Sequence, residues 1–210
     1  MPDSLLIWGA SGHGKVVLDV ARATGMFRRI VFVDDDSVKA RSGYCGCEVI
    51  SGAAGLREYV EDYLFVIAVG ENHARAYCFQ RALDSGLTPA VIVHPSAIIS
   101  PSAAVGRGTV VMPGAVVNAE ARLGENCIVN TGAIVEHDCS IGDSVHISPR
   151  AVLGGAAAVG NLAHVGIGAV VLPGASVGER AVVGAGAVVL KEAPARCTVI
   201  GVPARALSYA

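Results

Sequence analysis

The stretch VNTGAIVEHDCSIGDSVHI, residues 129–147, contains two interleaved columns with a period of six residues. The first column is aliphatic and the second is small or β-branched; they read Val129, Val135, Ile141, Ile147 and Ala133, Cys139, Val145. A period of six fits neither a helix with 3.6 residues per turn nor a strand in which alternate side chains share one face. It is typical of a parallel β-helix built from hexapeptide repeats.

Both columns continue far beyond this stretch. Every sixth residue from Val93 to Val189 is Val, Ile or Leu, at 17 consecutive positions. The small column has 16 members from Ala97 to Ala187. We interpret the aliphatic column as the inward stack of a triangular prism in which three hexads make one coil. Successive coils then lie at strand spacing, about 4.8 Å apart.

Glycines often follow the aliphatic column, as at Gly106, Gly124 and Gly142. We expect them to occupy corners that need unusual backbone angles. No insertion interrupts the register between Val93 and Val189. An active site must therefore use coil residues, the preceding segment of the chain or a neighbouring subunit.

Residues 1–92 are predicted to form a separate α/β domain. Short apolar strands at 5–8, 30–33, 64–70 and 89–93 alternate with helix-like segments. This order favours a parallel, doubly wound sheet that binds its ligand at the carboxyl ends of the strands. The predicted fold is thus a small Rossmann-like domain followed by an all-β prism with a short tail, residues 93–210.

The first strand runs into GASGHGK, residues 9–15. Its pattern is G-x-x-G-x-G, which differs from the dinucleotide fingerprint G-x-G-x-x-G. Glycines before a helix N-terminus suit a phosphate, and the acidic group Asp34–Asp36 follows about twenty residues later, where a ribose or base contact is typical. A tight strand–helix turn without a ligand is the alternative.

Composition excludes several classes of function. Only 16% of residues are charged and the net charge is −2, so the chain lacks the basic surface of a nucleic-acid-binding protein. Residues 151–178 carry no charge, but their glycines and their period argue against a membrane span. The first residues lack the pattern of a signal peptide, and the six cysteines lack metal-binding spacing. We therefore expect a cytoplasmic protein with reduced thiols and no metal.

Several motifs together resemble one family over essentially the whole chain. They are GASGHGKVVLDVA, FVDDD, IAVGEN, the unbroken prism, NTGAIVEHDCSIG and IGVPAR. The chain is similar to the bacterial hexapeptide-repeat acetyltransferases of nucleotide-linked amino sugars, which include the bacillosamine-pathway enzyme and its perosamine and sialic acid O-acetylating relatives. The resemblance implies a left-handed prism, a homotrimer and acetyl-CoA as the acetyl donor.

The resemblance also implies site residues. The sugar nucleotide would contact two groups in the first domain: Ser11, Gly12 and His13 at the diphosphate, and Asp34, Asp35, Ala68 and Gly70 around the base and ribose. Acetyl-CoA would contact His146, Ile167 and Ala185, with Gly155 as a hypothesised backbone donor beside the acetyl group. The bacillosamine enzyme has Glu where this chain has Asp138, and the perosamine enzyme has Asp. The nucleotide and the sugar therefore stay open, with a UDP-linked 4-amino sugar as the expected substrate. Separately, the sequence is consistent with either N- or O-acetylation.

The trio Glu136, His137 and Asp138 is predicted to point outward, next to a gap left by Ala119 and Gly155 one coil away on either side. A sugar ammonium must lose a proton before it attacks a thioester, and the imidazole of His137 is the natural base at neutral pH. By resemblance, Asp138 orients that imidazole. Glu136 is a weaker partner, because neighbours in an extended segment point apart.

Other interpretations compete with this one. The trio alone is consistent with a solvated polar patch. A prism with three histidines suggests zinc, although His137, His146 and His164 fall in different columns or coils. An NAD-dependent reductase and a purely structural prism are further alternatives. For His164 we favour a packed histidine at a surface or interface.

We further expect the prism to leave one apolar outer face for trimer formation. The residues predicted to line that face include Val110, Ile128 and Val182.

Overall fold

A five-stranded parallel sheet forms the centre of the N-terminal domain in the computed structural model, which describes residues 2–52 and 56–207. The strand order is β3-β2-β1-β4-β5, and the strands are β1 (Ser4–Trp8), β2 (Arg29–Asp34), β3 (Val49–Ser51), β4 (Tyr63–Ile67) and β5 (Thr88–Pro89). The helices are α1 (Gly12–Thr24), α2 (Ser37–Ser42) and α3 (Asn72–Asp84), with a 3₁₀ helix at Leu56–Tyr59. The predicted α/β class of this domain is confirmed.

Two details of the first domain differ from the prediction. Strand β3 was not expected, because three residues are too few to show a period. The segment 89–93, predicted as one closing strand, is divided between the two parts of the chain. Pro89 ends β5, and Ile92–Val93 pairs with Val110–Val111 as the first strand of the prism.

The prism has three parallel sheets, each made of two- or three-residue strands stacked one coil apart. The domain face consists of Ile92–Val93, Val110–Val111, Ile128–Val129, His146–Ile147, His164–Val165, Val182–Val183 and Thr198–Ile200, closed by the antiparallel strand Arg205–Ala206. The apolar face consists of Ile98–Ile99, Val116–Val117, Ile134–Val135, Val152–Leu153, Val170–Val171 and Val188–Val189. The polar face consists of Ala104–Val105, Arg122–Leu123, Ser140–Ile141, Ala158–Val159, Ser176–Val177 and Glu192–Ala193.

The two predicted columns form the core of the prism. The aliphatic and small residues from Val111 to Val199 make one continuous buried cluster, as their inward placement requires. The first residue of each strand points outward, so Arg122 is exposed while Leu123 is buried. The outward position therefore sets the character of each face.

The corners turn through a residue in the left-handed backbone region. Positive φ angles recur at every sixth residue from Gly108 to Gly186, near +60° at Asp138 and +57° at Ala156. The glycines after the aliphatic column, predicted to need such angles, do not have them. Only glycine fits at these positions, because the backbone of the next coil passes close to them. A Cβ on Gly160 would lie 2.6 Å from the Glu179 nitrogen, and a Cβ on Gly154 would lie 2.6 Å from the Pro173 nitrogen.

The predicted trimer face is wrong. Val110 and Ile128 are fully buried in a cluster with Val17 and Leu18 of α1, because the N-terminal domain of the same chain covers them. Only Val182, farther along that face, stays exposed. The column that the chain leaves uncovered lies on the apolar face, where the outward residues are Ile98, Val116, Ile134, Val152, Val170 and Val188. Among the described residues, no helix is long and apolar enough to cross a membrane.

The close approach of the coils makes Gly160→Ala a test of this packing. The added methyl group meets backbone atoms of Glu179, which cannot move without shifting a coil, and overpacking of this kind costs about 1–3 kcal/mol. Gly186→Ala is the control, because its Cβ meets nothing within 4 Å and only the positive φ opposes it. Denaturant unfolding should show the larger loss for Gly160→Ala. Equal losses would mean that backbone conformation, not inter-coil contact, selects these glycines.

Candidate active site

His137 and Asp138 form a pair at the corner between the apolar and polar faces, residues 136–139. The Nδ1 atom of His137 lies 2.7 Å from Oδ2 of Asp138. The side chain of His137 is 61% exposed and that of Asp138 is 60% exposed. Asp138 occupies the left-handed corner position, with φ near +60°, a conformation that Asp tolerates better than most residues. With the Nδ1 proton donated to the carboxylate, the Nε2 atom carries the free lone pair.

Gly155, one coil farther along the same corner, makes room for the imidazole. A Cβ on Gly155 would lie 2.6 Å from both Cε1 and Nε2 of His137. The predicted gap is therefore occupied by the histidine ring itself. The ring of His137 thus lies against the Cα of Gly155, where no larger residue would fit without moving it.

Neighbouring groups do not compete for His137. The Glu136 carboxylate accepts a hydrogen bond from Asn118 Nδ2 at 3.0 Å, one coil back, and so turns away from the imidazole. The Cys139 thiol points into the core, where it is 1% exposed and donates to the Gly154 carbonyl at 3.3 Å. Burial raises the pKa of this thiol, which disfavours the thiolate that a nucleophile requires.

The carboxylate of Asp138 raises the pKa of His137 above its usual value, chiefly through their hydrogen bond. The imidazole therefore becomes a stronger base, and its Nε2 atom makes no hydrogen bond among the described residues. A His–Asp pair of this geometry can take a proton at Nε2 and stabilise the resulting imidazolium.

The predicted phosphate loop lies at the carboxyl edge of the sheet, as expected. Ser11 and Gly12 are exposed at the N-terminus of α1. Asp34 braces this loop: its Oδ2 accepts the Ala10 N–H at 2.8 Å, and its Oδ1 accepts the Asp36 N–H at 3.0 Å. Asp35 beside it is exposed, so it is the carboxylate that remains open to a ligand.

Three imidazoles line the junction between the loop and the prism. The ring centroids of His146 and His164 lie 4.8 Å apart, and His13 is 6.4 Å from His146. Burial lowers the pKa of His146 to about 3 and that of His13 to about 4. Asn130 lies 3.0 Å from Nε2 of His146, and the Gly70 carbonyl lies 3.3 Å from its Nδ1. All three rings are therefore neutral near pH 7.

The predicted site residues fall into two groups that one chain does not bring together. Ser11, Gly12, His13, Asp34, Asp35, Ala68, Gly70 and His146 lie on the side of the domain face, and Ile167 and Ala185 lie exposed at the adjacent corner. His137, Asp138 and Gly155 lie at the next corner, with the whole apolar face between them and that first group. Among the described residues, no cluster of three or more His, Cys, Asp or Glu is placed to hold a metal ion.

Sequence reasoning missed Arg75 and Asn72, which join α3 to the prism. Arg75 is only 1% exposed, and Asn72 is 5% exposed. Asn72 Nδ2 donates to the carbonyls of Leu162 and Ala163, both at 2.9 Å. In sequence both residues look like ordinary polar positions of a surface helix. The prism corners that they contact are far away in the sequence, about 90 residues for Asn72. Sequence reasoning therefore could not show that these two residues join α3 to the prism.

Two family models match the chain: the PglD N-terminal domain over residues 4–82, and the bacterial transferase hexapeptide (six repeats) over residues 120–155. The acetyltransferase domain of PglB from Neisseria gonorrhoeae is 40% identical, with a TM-score of 0.93 over 98% of this chain and 100% of that one. PerB from Caulobacter crescentus, solved with CoA and GDP-perosamine, is 36% identical, with a TM-score of 0.89 over 98% of this chain and 97% of that one.

A curated relative, the UDP-N-acetylbacillosamine N-acetyltransferase of Bacillus subtilis, is 44% identical over 115 residues. That alignment spans 51% of this chain and 50% of the relative, so the match covers about half of each.

The prism, the N-terminal domain and the corner pair together define a transferase of the bacterial hexapeptide-repeat class, with a left-handed β-helix. The chain belongs to the family of nucleotide-sugar N-acetyltransferases that contains the PglB acetyltransferase domain and PerB. The resemblance inferred from the sequence is confirmed.

The hydrogen bond to Asp138 gives a direct prediction. Asp138→Asn removes the negative charge and its strong hydrogen bond, so the pKa of His137 should fall toward its usual value. Glu136→Gln is the matched control; it should lower the pKa less, because that carboxylate is bound to Asn118. Titration of the His137 ring by NMR measures both effects. A larger decrease for Glu136→Gln would contradict the assigned pair.

Proposed function

We propose that this protein transfers an acetyl group from acetyl-CoA to the amino group of a nucleotide-linked sugar, with a UDP-linked 4-amino sugar as the expected substrate. The observation that carries the proposal is the His137–Asp138 pair, in which Asp138 holds Nδ1 of the imidazole and the ring lies beside Gly155. Acetyl-CoA is confined to the cytoplasm of a bacterial cell, and we propose that location for the protein.

The mechanism is general-base acyl transfer. The amine nitrogen attacks the thioester carbonyl carbon and gives its proton to Nε2 of His137, while Asp138 stabilises the imidazolium. The tetrahedral intermediate then collapses with cleavage of the C–S bond, and the CoA thiolate takes the proton back from the His137 imidazolium, which restores the neutral base. Within the described residues the N–H of Gly155 donates to no acceptor, and we assign it to the developing oxyanion.

The topology supports a site shared between two chains. The N-terminal domain covers the domain face of its own prism. The corner that carries His137 is the one opposite that face. One side of the prism is about six residues long, so the two regions are about 15–20 Å apart across a solid core. A sugar bound to the N-terminal domain therefore meets His137 of another subunit.

A homotrimer with the apolar faces turned toward the threefold axis satisfies this requirement. The uncovered column from Ile98 to Val188 would be buried at that axis, as the hydrophobic effect favours. The corner with Ile167 and Ala185 in one subunit then lies beside the corner with His137 in the next, because both corners border the apolar face. Acetyl-CoA between these corners would contact Ile167 and Ala185 of one subunit and Gly155 of the next.

The direct test of the activity is a screen of UDP-, GDP- and dTDP-linked 4-amino sugars with acetyl-CoA, followed by release of free thiol. One nucleotide should give acetyl transfer by the wild-type protein. His137→Ala should lower kcat by about 10²–10⁴, the usual cost of removing a positioned base, without changing the oligomeric state. Near-normal turnover of His137→Ala at neutral pH would eliminate this residue as the base.

The shared site is tested by mixing two inactive variants. Gly12→Asp places a carboxylate in the phosphate loop, where a Cβ meets nothing within 4 Å; Gly12→Asn is the neutral control of the same size. Coexpressed with His137→Ala, the Gly12→Asp chain should supply His137 to a neighbour with an intact loop. Random trimers should then recover about a quarter of the wild-type sites. A site contained in one chain predicts no recovery at all.

A further inference from the structure

Arg75, in the first turns of α3, is a buried cation without a carboxylate partner among the described residues. Its side chain is 1% exposed and its donors bind five oxygens. Nε donates to the Asn126 carbonyl at 2.9 Å, and Nη2 donates to the Ser144 carbonyl at 2.7 Å and to Asn72 Oδ1 at 2.8 Å. Nη1 donates to the carbonyls of Val69 and Gly70, both at 3.2 Å.

The prism carbonyls that Arg75 binds belong to a repeating row. Asn126, Ser144 and Leu162 each occupy the left-handed corner position of successive coils. Their carbonyls accept no backbone hydrogen bond within the described part of the chain. Under α3 they are shielded from water, where an unpaired carbonyl is costly. Arg75 satisfies two of them, and Asn72 satisfies the third.

The other end of the guanidinium holds the loop between β4 and α3. The Gly70 carbonyl accepts from Arg75 Nη1 at 3.2 Å and lies 3.3 Å from Nδ1 of His146. One planar group thus joins two prism coils to the backbone of the predicted nucleotide pocket. A lysine carries the same charge but lacks the fixed fork that spans these carbonyls.

We propose that Arg75 is a positioning residue for the sugar nucleotide: it fixes the Val69–Gly70 loop against the prism and so sets the geometry of the pocket that the substrate enters. This inference rests on the proposed function, because it assumes that the N-terminal domain binds the nucleotide. After burial, the charge of Arg75 also lowers the pKa values of His13 and His164. For His146, burial and the neighbouring His164 lower the pKa more than Arg75 does. The cation therefore helps to keep the imidazoles around Gly70 neutral.

Steady-state kinetics of Arg75→Lys and Arg75→Met, well below their unfolding temperatures, test the proposal with the sugar nucleotide identified by the screen. Both variants should raise the KM for the sugar nucleotide about tenfold or more, as expected for loss of buried charge-assisted hydrogen bonds. The KM for acetyl-CoA should stay within about twofold, because Asn130 still holds His146. Arg81→Met, an exposed arginine of the same helix, is the control and should leave both values unchanged.

The outcomes separate the two proposals. A wild-type protein without acetyl transfer overturns the proposed function. An active wild type with normal sugar-nucleotide KM in both Arg75 variants overturns the positioning role, and equal increases in both KM values overturn it as well. If Arg75→Met fails to fold, Arg75→Lys decides alone, and a normal sugar-nucleotide KM in that variant overturns the positioning role.

Discussion

The repeated corner is the constraint on which the whole molecule depends. Each hexad must turn at one residue in the left-handed backbone region, and this recurs from Gly108 to Gly186. The turn fixes which residues stack, because positions eighteen apart always coincide on the same edge. The surroundings of His137 are therefore decided by Gly155 in the next coil, and a side chain at that position would displace the imidazole.

The same corners create the surface that receives the N-terminal domain. A left-handed corner leaves its carbonyl outside the hydrogen-bond ladder, so each edge of the prism presents a row of acceptors at strand spacing. Water satisfies such a row on an open edge. Where α3 covers it, Arg75 and Asn72 supply the donors. The contact between the N-terminal domain and the prism thus depends on the carbonyls that the corners leave unpaired. This contact also places Gly70 beside His146.

The prism could be predicted almost completely from the sequence, because its six-residue period is strict and each inward position has a characteristic residue type. The outward direction of His137 and the stacking of His146 on His164 followed from that register. The register did not reveal which face stays uncovered. Val110 and Val152 occupy equivalent outward positions in the sequence pattern, and only the folded structure shows that the N-terminal domain covers Val110. Arg75 was likewise hidden, because its partners are backbone carbonyls, which leave no pattern in side-chain identity.

In the proposed trimer, the exposure of His137 connects assembly with the proposed chemistry. In the single chain the imidazole is largely in water, and the hydrogen bond to Asp138 raises its pKa, which favours the protonated form. A base must be neutral to accept the proton of the amine. Covering this corner with a neighbouring prism would remove water and lower the imidazole pKa, because desolvation disfavours the charged ring. Asp138 then opposes that decrease and keeps the ring basic. The contact that brings the substrate to His137 would therefore also adjust the strength of the base.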